Sequence, residues 1–223
     1  MKTNKRFSRW LKAQFGRPSG FWGSVAGTVM AHRSSNRERA HWTVELLDLQ
    51  PGERVLEVGF GPGVAIERIV HSSEDVVVVG IDHSEVMLRQ AARRNAAAIE
   101  EGRVQLQLAS VEDPLVFEER FHKIFAINSV GFWSEPVARL ESLRELLVDG
   151  GTLVLTEQPR GVGVDEAAIE RTKKRLVDSM SRAGFDEVRF EIRKMRGTPA
   201  IATLGRSFGA RPRPPSKAQA STT

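Results

Sequence analysis

Short apolar runs alternate with helical patterns over most of the chain. The runs are rich in β-branched residues, as in strands that are buried on both faces, and they occupy residues 54–58, 76–82, 104–108, 122–127, 151–156, 187–193 and 199–204. The helical patterns cover residues 36–48, 64–70, 84–99, 136–147 and 166–182. This alternation predicts an α/β fold with a doubly wound, mostly parallel sheet. Ligands of such sheets bind outside the carboxyl ends of the strands, where we expect the site residues.

Capping residues and turns set the predicted boundaries of these elements. Asn36 is a candidate N-cap for the first helix, and Ser84 can cap a helix that runs to about Ile99. The turn at residues 149–151 should introduce the fifth strand, and the last strand should end at Leu204.

Both ends of the chain are basic and differ from the body. Residues 1–17 and 206–223 carry six and four Lys or Arg residues and no acid, whereas residues 18–205 hold 23 bases and 28 acids. Residues 7–15 form a basic amphipathic helical pattern, which could lie on an anionic membrane surface, fold back as a lid or simply dock on the body. We divide the chain into an N-terminal basic and lid-like segment, a central domain and a disordered tail, at 1–35, 36–204 and 205–223.

The composition excludes several classes of protein. The chain has no cysteine, so disulfides, thiolate metal sites and a cysteine nucleophile are excluded. No apolar stretch follows the basic N-terminus as in a signal peptide, and no apolar run is long enough to span a bilayer, so we expect a cytoplasmic protein. Because the positive charge belongs to the ends, the sequence pI of about 10.0 is weak support for a nucleic-acid partner.

The stretch RVLEVGFGPG at residues 54–63 carries the strongest chemical signal. An apolar strand ends at Val58 and is followed by three glycines before a helix. Glycine lets a ligand approach the main chain closely, and the helix N-terminus offers free N–H groups, so this turn can hold a nucleotide-like ligand. Asp82 ends the next strand, and its carboxylate can accept bonds from both hydroxyls of a ribose.

The motifs VLEVGFGPG, VVGIDHS and LLVDGGTLVLTEQPR together resemble those of the class I S-adenosylmethionine-dependent methyltransferases, in particular the small-molecule enzymes related to the ubiquinone/menaquinone methyltransferases. The resemblance covers about residues 36–204 and implies S-adenosyl-L-methionine as cofactor. We expect the corresponding Rossmann-like, seven-stranded sheet with an antiparallel strand near the C-terminus.

The resemblance also implies roles for individual residues. The turn would hold the methionine part of the cofactor, with Glu57 near its amino group and Phe60 as a nearby aromatic face; the turn glycines are Gly59, Gly61 and Gly63. Asp82 would bind the ribose, and His83 would lie beside the adenine. Ser110 and Val111 fall where the family contacts adenine, with Ser110 in place of an acid, and Asn128 ends the fourth strand beside the reacting sulfur.

Methyl transfer is an in-line displacement that depends mainly on positioning, so no catalytic residue is assigned. Phe21, His32 and Trp133 are candidate acceptor contacts, and His32 and His41 are the better candidates for a base. The fourth strand is followed by INSVGFW and not by an Asn-Pro-Pro-Tyr type sequence, which disfavours base methylation in nucleic acids. The preferred acceptor is a planar or lipophilic small molecule. An RNA or lipid methyltransferase, a non-catalytic cofactor-binding protein and a nicotinamide-dependent oxidoreductase stay open as alternatives.

Overall fold

A computed structural model of the chain describes residues 34–159 and 165–208. Within them, seven strands form one sheet in the order β3-β2-β1-β4-β5-β7-β6. The strands are β1 Arg54–Val58, β2 Val77–Asp82, β3 Val104–Leu108, β4 Phe121–Ile127, β5 Leu147–Glu157, β6 Asp186–Arg193 and β7 Ala200–Ser207. The helices are α1 Ser34–Leu47, α2 Val64–Ser72, α3 Glu85–Arg94, α4 Ala96–Glu100, α5 Pro136–Glu145 and α6 Glu166–Arg182. Strand β7 alone runs antiparallel to both of its neighbours, β5 and β6, which confirms the predicted fold.

Most predicted elements form where expected, and the differences have local causes. Asn36 is not an N-cap, because α1 already begins at Ser34. The predicted helix after Ser84 is two helices, which Asn95 separates. The Asn95 side chain donates to the carbonyls of Ala91 and Gly63, at 3.0 and 3.2 Å, and so ties the break to the glycine turn.

Two strands are longer than predicted. Strand β5 begins at Leu147, because the 149–151 segment joins the sheet as an irregular extension of the strand and does not form a separate turn. Strand β7 continues to Ser207, which pairs with Gly151 of β5. The first residues of the expected tail therefore belong to the sheet.

The core has two layers, one on each face of the sheet. Successive residues of β1 alternate between them: Val55 packs with the layer that includes Trp42 of α1, and Leu56 packs with the layer that includes Leu140 of α5. All four side chains are at most 1% exposed. Burial on both faces explains why most residues of the central strands are apolar, as is typical of parallel strands covered by helices.

The topology places one site at the centre of the sheet. From β1 the chain moves outward through β2 to β3, and it then returns to the other side of β1 with β4. The carboxyl ends of β1 and β4 thus flank the point where strand order reverses, which is where open α/β sheets bind ligands. Within residues 34–159 and 165–208, no helix combines the length and the apolar character that crossing a membrane requires.

Candidate functional site

The glycine turn between β1 and α2 uses its glycines in different ways. Gly59, Gly61 and Gly63 all have positive φ angles, of 78°, 53° and 76°. A Cβ on Gly61 would meet nothing within 4 Å, so its main chain is open to a ligand. A Cβ on Gly63 would lie 2.8 Å from the Cβ of Ala91 and 2.7 Å from the Nδ2 of Asn95. Gly63 therefore allows helix α3 to pack closely against the turn.

Asp82 braces this turn from the end of β2. Its Oδ2 accepts a hydrogen bond from the Gly61 N–H at 2.8 Å, and its Oδ1 accepts one from the Ser84 N–H at 2.9 Å. The side chain is buried, and burial raises the pKa of Asp82 while the bonds from Ser84 and Gly61 oppose that rise. Since each carboxylate oxygen can accept more than one bond, both oxygens keep capacity for further donors.

Glu57 is the second acid of the site and is only 2% exposed. Its Oε2 is buried and has no hydrogen-bond partner among the described residues. Burial, and then the charge of Asp82, raise the pKa of Glu57 well above its ordinary value. A buried carboxyl oxygen without a partner is costly, so this position is suited to a cationic or donor group of a ligand.

These residues meet at a cavity of about 470 Å³, a volume typical of small-molecule sites. Trp133 lines it, together with nine of the ten residues expected at the cofactor: Glu57, Gly59, Phe60, Gly61, Asp82, His83, Ser110, Val111 and Asn128. Gly63 is not among the lining residues, because it faces α3. His41 is exposed and does not line the cavity either. Phe21 and His32 lie outside the described residues.

The end of β4 forms the wall of the cavity opposite β2. Asn128 has a positive φ of 53°, and its Oδ1 accepts a hydrogen bond from the Gln158 N–H at 2.8 Å. Ser129 donates from its hydroxyl to the carbonyl of Val58 at 3.1 Å, which joins β4 to β1 beside the turn. The next turn places Phe132, 49% exposed, and the buried Trp133 at the cavity.

Helix α1 contributes lining residues that the sequence analysis missed, namely Asn36, Arg39 and Ala40. Arg39 is only 3% exposed. The helix was predicted from its apolar residues and a candidate cap, and neither of these signals indicates a buried arginine. The missed signal is that Asn36, Arg39 and Thr43 share one helical face, with spacings of three and four residues. Thr43 on that face lies 2.8 Å from the hydroxyl of Thr156 on β5, so the face is turned to the sheet.

The family profile described as a methyltransferase domain matches residues 55–151, which include the turn, Asp82 and the end of β4. An uncharacterized methyltransferase of Bacillus subtilis (strain 168), YdaC, is 29% identical over 175 residues, which cover 77% of this chain and 92% of that protein. The ubiquinone/menaquinone biosynthesis C-methyltransferase UbiE of Geotalea daltonii (strain DSM 22248 / JCM 15807 / FRC-32) is 30% identical over 129 residues, which cover 55% of this chain and 52% of that protein. These matches identify a methyltransferase domain, and together they support a class I S-adenosylmethionine-dependent methyltransferase.

The fold of the methyltransferase is also that of a solved structure, the N-methyltransferase NodS of Bradyrhizobium japonicum WM9 in complex with S-adenosyl-l-homocysteine. The two share a TM-score of 0.63 at 13% identity, over 82% of this chain and 96% of that one. The family that VLEVGFGPG and VVGIDHS indicated is therefore confirmed, together with its S-adenosylmethionine dependence. The roles of the individual site residues stay predictions.

The residues present fit that cofactor. The cofactor carries positive charge and a ribose. The methyltransferase offers an open main chain at Gly61, a hydrogen-bonded carboxylate at Asp82 and a carboxyl oxygen of Glu57, Oε2, that has no partner among the described residues. The Ser110 hydroxyl, where the family has an acid, accepts a hydrogen bond from the Glu112 N–H at 3.1 Å. It thus shapes the loop after β3 as well as facing the cavity.

Glu57→Gln is expected to change how stability depends on pH. The folded methyltransferase holds the Glu57 proton more tightly than the unfolded chain, so its unfolding free energy should fall as pH rises above the ordinary value of 4.5 towards the raised pKa. Glutamine cannot ionise, so the variant should lose that part of the decline. Denaturant unfolding without ligand at pH 5 and pH 8 measures this effect. The unfolding free energy of the variant, relative to that of the wild type, should be higher at pH 8 than at pH 5. An identical difference at both pH values would contradict a raised pKa.

Proposed function

We propose that this methyltransferase acts on a small, planar or lipophilic acceptor, which binds in the central cavity beside Phe132 and Trp133. The observation that carries the proposal is the half-exposed Phe132 at that cavity. Phe132 and Trp133 belong to the turn after β4, and the next residue, Ser134, donates hydrogen bonds to Glu112 in the loop after β3, at 2.8 and 2.6 Å. A large apolar ring that is exposed at a concave site is suited to stacking against a flat apolar ligand.

The same cavity has a polar half that we assign to the cofactor. Asp82 would accept the ribose hydroxyls, Glu57 would face the amino group, and the turn at Gly59 and Gly61 would pass along the methionine part. His83, Ser110 and Val111 would surround the adenine, and Asn128 would lie towards the sulfur. The geometric support is that all these residues line one cavity, with the two acids on neighbouring strands.

Positioning accounts for catalysis in this proposal. When bound, S-adenosylmethionine supplies a methyl group that its positive sulfur has already activated for displacement. Phe132 and Trp133 hold the acceptor and exclude water, while the glycine turn and Asp82 fix the donor, so that the reacting atoms are held in line. His83 is the one histidine of the described residues that lines the cavity, and we assign it to the adenine end. We therefore assign no general base among the described residues.

The names of relatives favour this acceptor class over nucleic acid. UbiE is named for carbon methylation in ubiquinone and menaquinone biosynthesis, whose products are lipophilic and planar. The acidic Glu112 also lines the cavity, and its pKa is lowered by hydrogen bonds from Ser134, so it stays charged. A negative group at the cavity disfavours a polyanionic acceptor.

Phe132→Ala is expected to lower kcat/KM for a planar acceptor about tenfold, because one ring contact of roughly 1.4 kcal/mol is lost. The assay follows transfer of a labelled methyl group from S-adenosylmethionine to a panel of a naphthoquinol, a catechol and an indole, with total tRNA as the polyanionic alternative. Affinity for S-adenosylhomocysteine should stay within about twofold of the wild type.

The matched control is Phe190→Ala, which removes a ring of similar exposure, 46%, from the edge strand β6. It should leave kcat/KM unchanged. Methylation of tRNA with none of the three planar compounds methylated would overturn the proposed acceptor class. An equal loss in Phe190→Ala would show that Phe132 does not contact the acceptor.

A further inference from the structure

The wall of the cavity formed by α1 and the end of β4 is rich in hydrogen-bond donors. Asn36, Arg39 and Asn128 line it, and we call these three residues the donor wall. Gln158, which directly follows β5, is hydrogen-bonded to both Arg39 and Asn128 of the donor wall. The acids Glu57 and Asp82 belong to β1 and β2, on the other side of the reversal point. The donor wall therefore carries one positive charge, at Arg39, and the two acids lie on the other side.

Arg39 is held in a defined orientation. Its Nη1 donates to Oε1 of Gln158, and its Nη2 donates to Oδ1 of Asn36 at 2.6 Å. The acceptors in these two bonds are neutral amide oxygens, so neither bond places a negative charge beside the guanidinium. A guanidinium stays protonated at any ordinary pH, so the donor wall contains a positive charge that is 3% exposed.

Gln158 is itself fixed, which determines which way its amide points. Its Nε2 donates to the carbonyls of Thr198 and Arg196, at 2.7 and 3.3 Å, in the connection between β6 and β7. The carbonyl oxygen of the side chain must therefore face Arg39. The guanidinium is consequently preorganised by contacts that reach across α1, β5 and the β6–β7 connection, and preorganised donors lose little entropy on binding.

Asn128 adds a donor that has no partner. Its Oδ1 accepts from the Gln158 N–H at 2.8 Å, so the other end of the amide is the Nδ2 group. That nitrogen is buried, and it has no hydrogen-bond partner among the described residues. A buried donor of this kind is costly unless a ligand accepts a hydrogen bond from it. Asn128 and Arg39 are linked through the same residue, Gln158, and both line the cavity.

We propose that the acceptor is a planar aromatic carboxylate, whose anionic group is bound by Arg39 and Asn128. This inference rests on the proposed small-molecule function and specifies its substrate class. Arg39 presents the flat fork of donors that matches a carboxylate, and Asn128 supplies a further N–H. Phe132 and Trp133, which line the same cavity, provide the apolar contacts for the ring system. The carboxylate fixes the orientation of the ring, and so determines which atom of the acceptor faces the methyl donor.

The test compares two probes that differ in charge, 2-naphthoate and 2-naphthamide. Each is titrated by calorimetry into the full-length protein saturated with S-adenosylhomocysteine. Wild type should bind the carboxylate at least about tenfold more tightly, because a hydrogen-bonded charge pair is stronger than its neutral counterpart. Arg39→Met should reduce the preference to about onefold to twofold. Asn36→Asp should abolish or reverse it, because the new carboxylate lies where Asn36 now accepts from Arg39 and neutralises the guanidinium.

Asn36→Asp keeps the shape of the side chain, so it tests the charge even if Arg39→Met does not fold. The control is Arg171→Met, which removes the same charge from an arginine on α6 whose side chain is 72% exposed. It should keep the wild-type preference.

Equal binding of both probes by the wild type would overturn the carboxylate site and leave the planar acceptor standing. A preference that survives in Asn36→Asp would overturn the role of Arg39. If S-adenosylhomocysteine binds but neither probe does, both the carboxylate site and the planar acceptor are wrong.

Discussion

Asp82→Ala is expected to weaken binding of S-adenosylhomocysteine about 100-fold, equivalent to roughly 2.8 kcal/mol. The substitution removes the proposed acceptor of the ribose hydroxyls. It also removes the acceptor of the Gly61 and Ser84 N–H groups, which lie at 2.8 and 2.9 Å from the carboxylate oxygens. Each bond to a charged group contributes about 1.5–3 kcal/mol, so the loss of the ribose contacts and the loosening of the turn together justify the estimate. Isothermal calorimetry on the full-length chain measures it.

Asp82→Asn separates the two contributions. Its amide keeps one acceptor oxygen of nearly the same shape but loses the charge and the second acceptor, so its affinity should fall between wild type and Asp82→Ala. Asp178→Ala, which removes an exposed acid from α6, is the control and should bind like the wild type. Wild-type affinity in Asp82→Ala would show that the ribose is bound elsewhere, and would remove the basis for placing the cofactor in this cavity.

Gly63→Ala is expected to lower the free energy of unfolding by about 3 kcal/mol, mainly through overpacking. Gly63 has a φ of 76°, where an L residue is strained. Its new Cβ would also lie 2.8 Å from the Cβ of Ala91 and 3.0 Å from the Cα of Ala91, which is main chain and cannot rotate away. The turn or α3 must therefore shift. Denaturant unfolding without ligand measures the change.

Gly102→Ala is the matched control, because it introduces the same backbone strain without a close contact. Gly102 has nearly the same φ, 74°, but a Cβ there would meet nothing within 4 Å. Its loss should be only about 1 kcal/mol, the cost of the left-handed conformation. Equal losses in the two variants would mean that contact with α3 is not what requires glycine at position 63. The comparison thus separates packing from backbone strain.

The local signals in the sequence predicted most of the fold and the half of the site that contains the two acids. Strand β3 and helix α6 form over the predicted residues, because each has a clear period and a clear boundary. Asp165 caps α6 by accepting from the Ala168 N–H at 2.8 Å, a contact within one turn. The glycine turn and Asp82 could be paired in advance because parallel strands bring their carboxyl ends to one edge. That rule requires no knowledge of side-chain packing.

The boundaries that were wrong depend on contacts between distant parts of the chain. Helix α3 ends at Arg94 where the Asn95 side chain reaches Gly63, 32 residues away. Strand β7 extends to Ser207 because β5 offers a partner as far back as Gly151. Neither contact leaves a periodic signal in the segment itself, so hydrophobic spacing could not locate those ends.

The sequence by itself determined the order of strands and helices, the turn and the acid that follows β2, since each depends on residues that are neighbours along the chain. Only the tertiary structure decided that Gly63 packs against α3 and that Arg39 lines the cavity. The physical reason is distance along the chain: Arg39 meets Gln158 across 119 residues. Which buried polar groups become partners at that separation is set by how α1 packs on the sheet, and that packing is a property of the whole core.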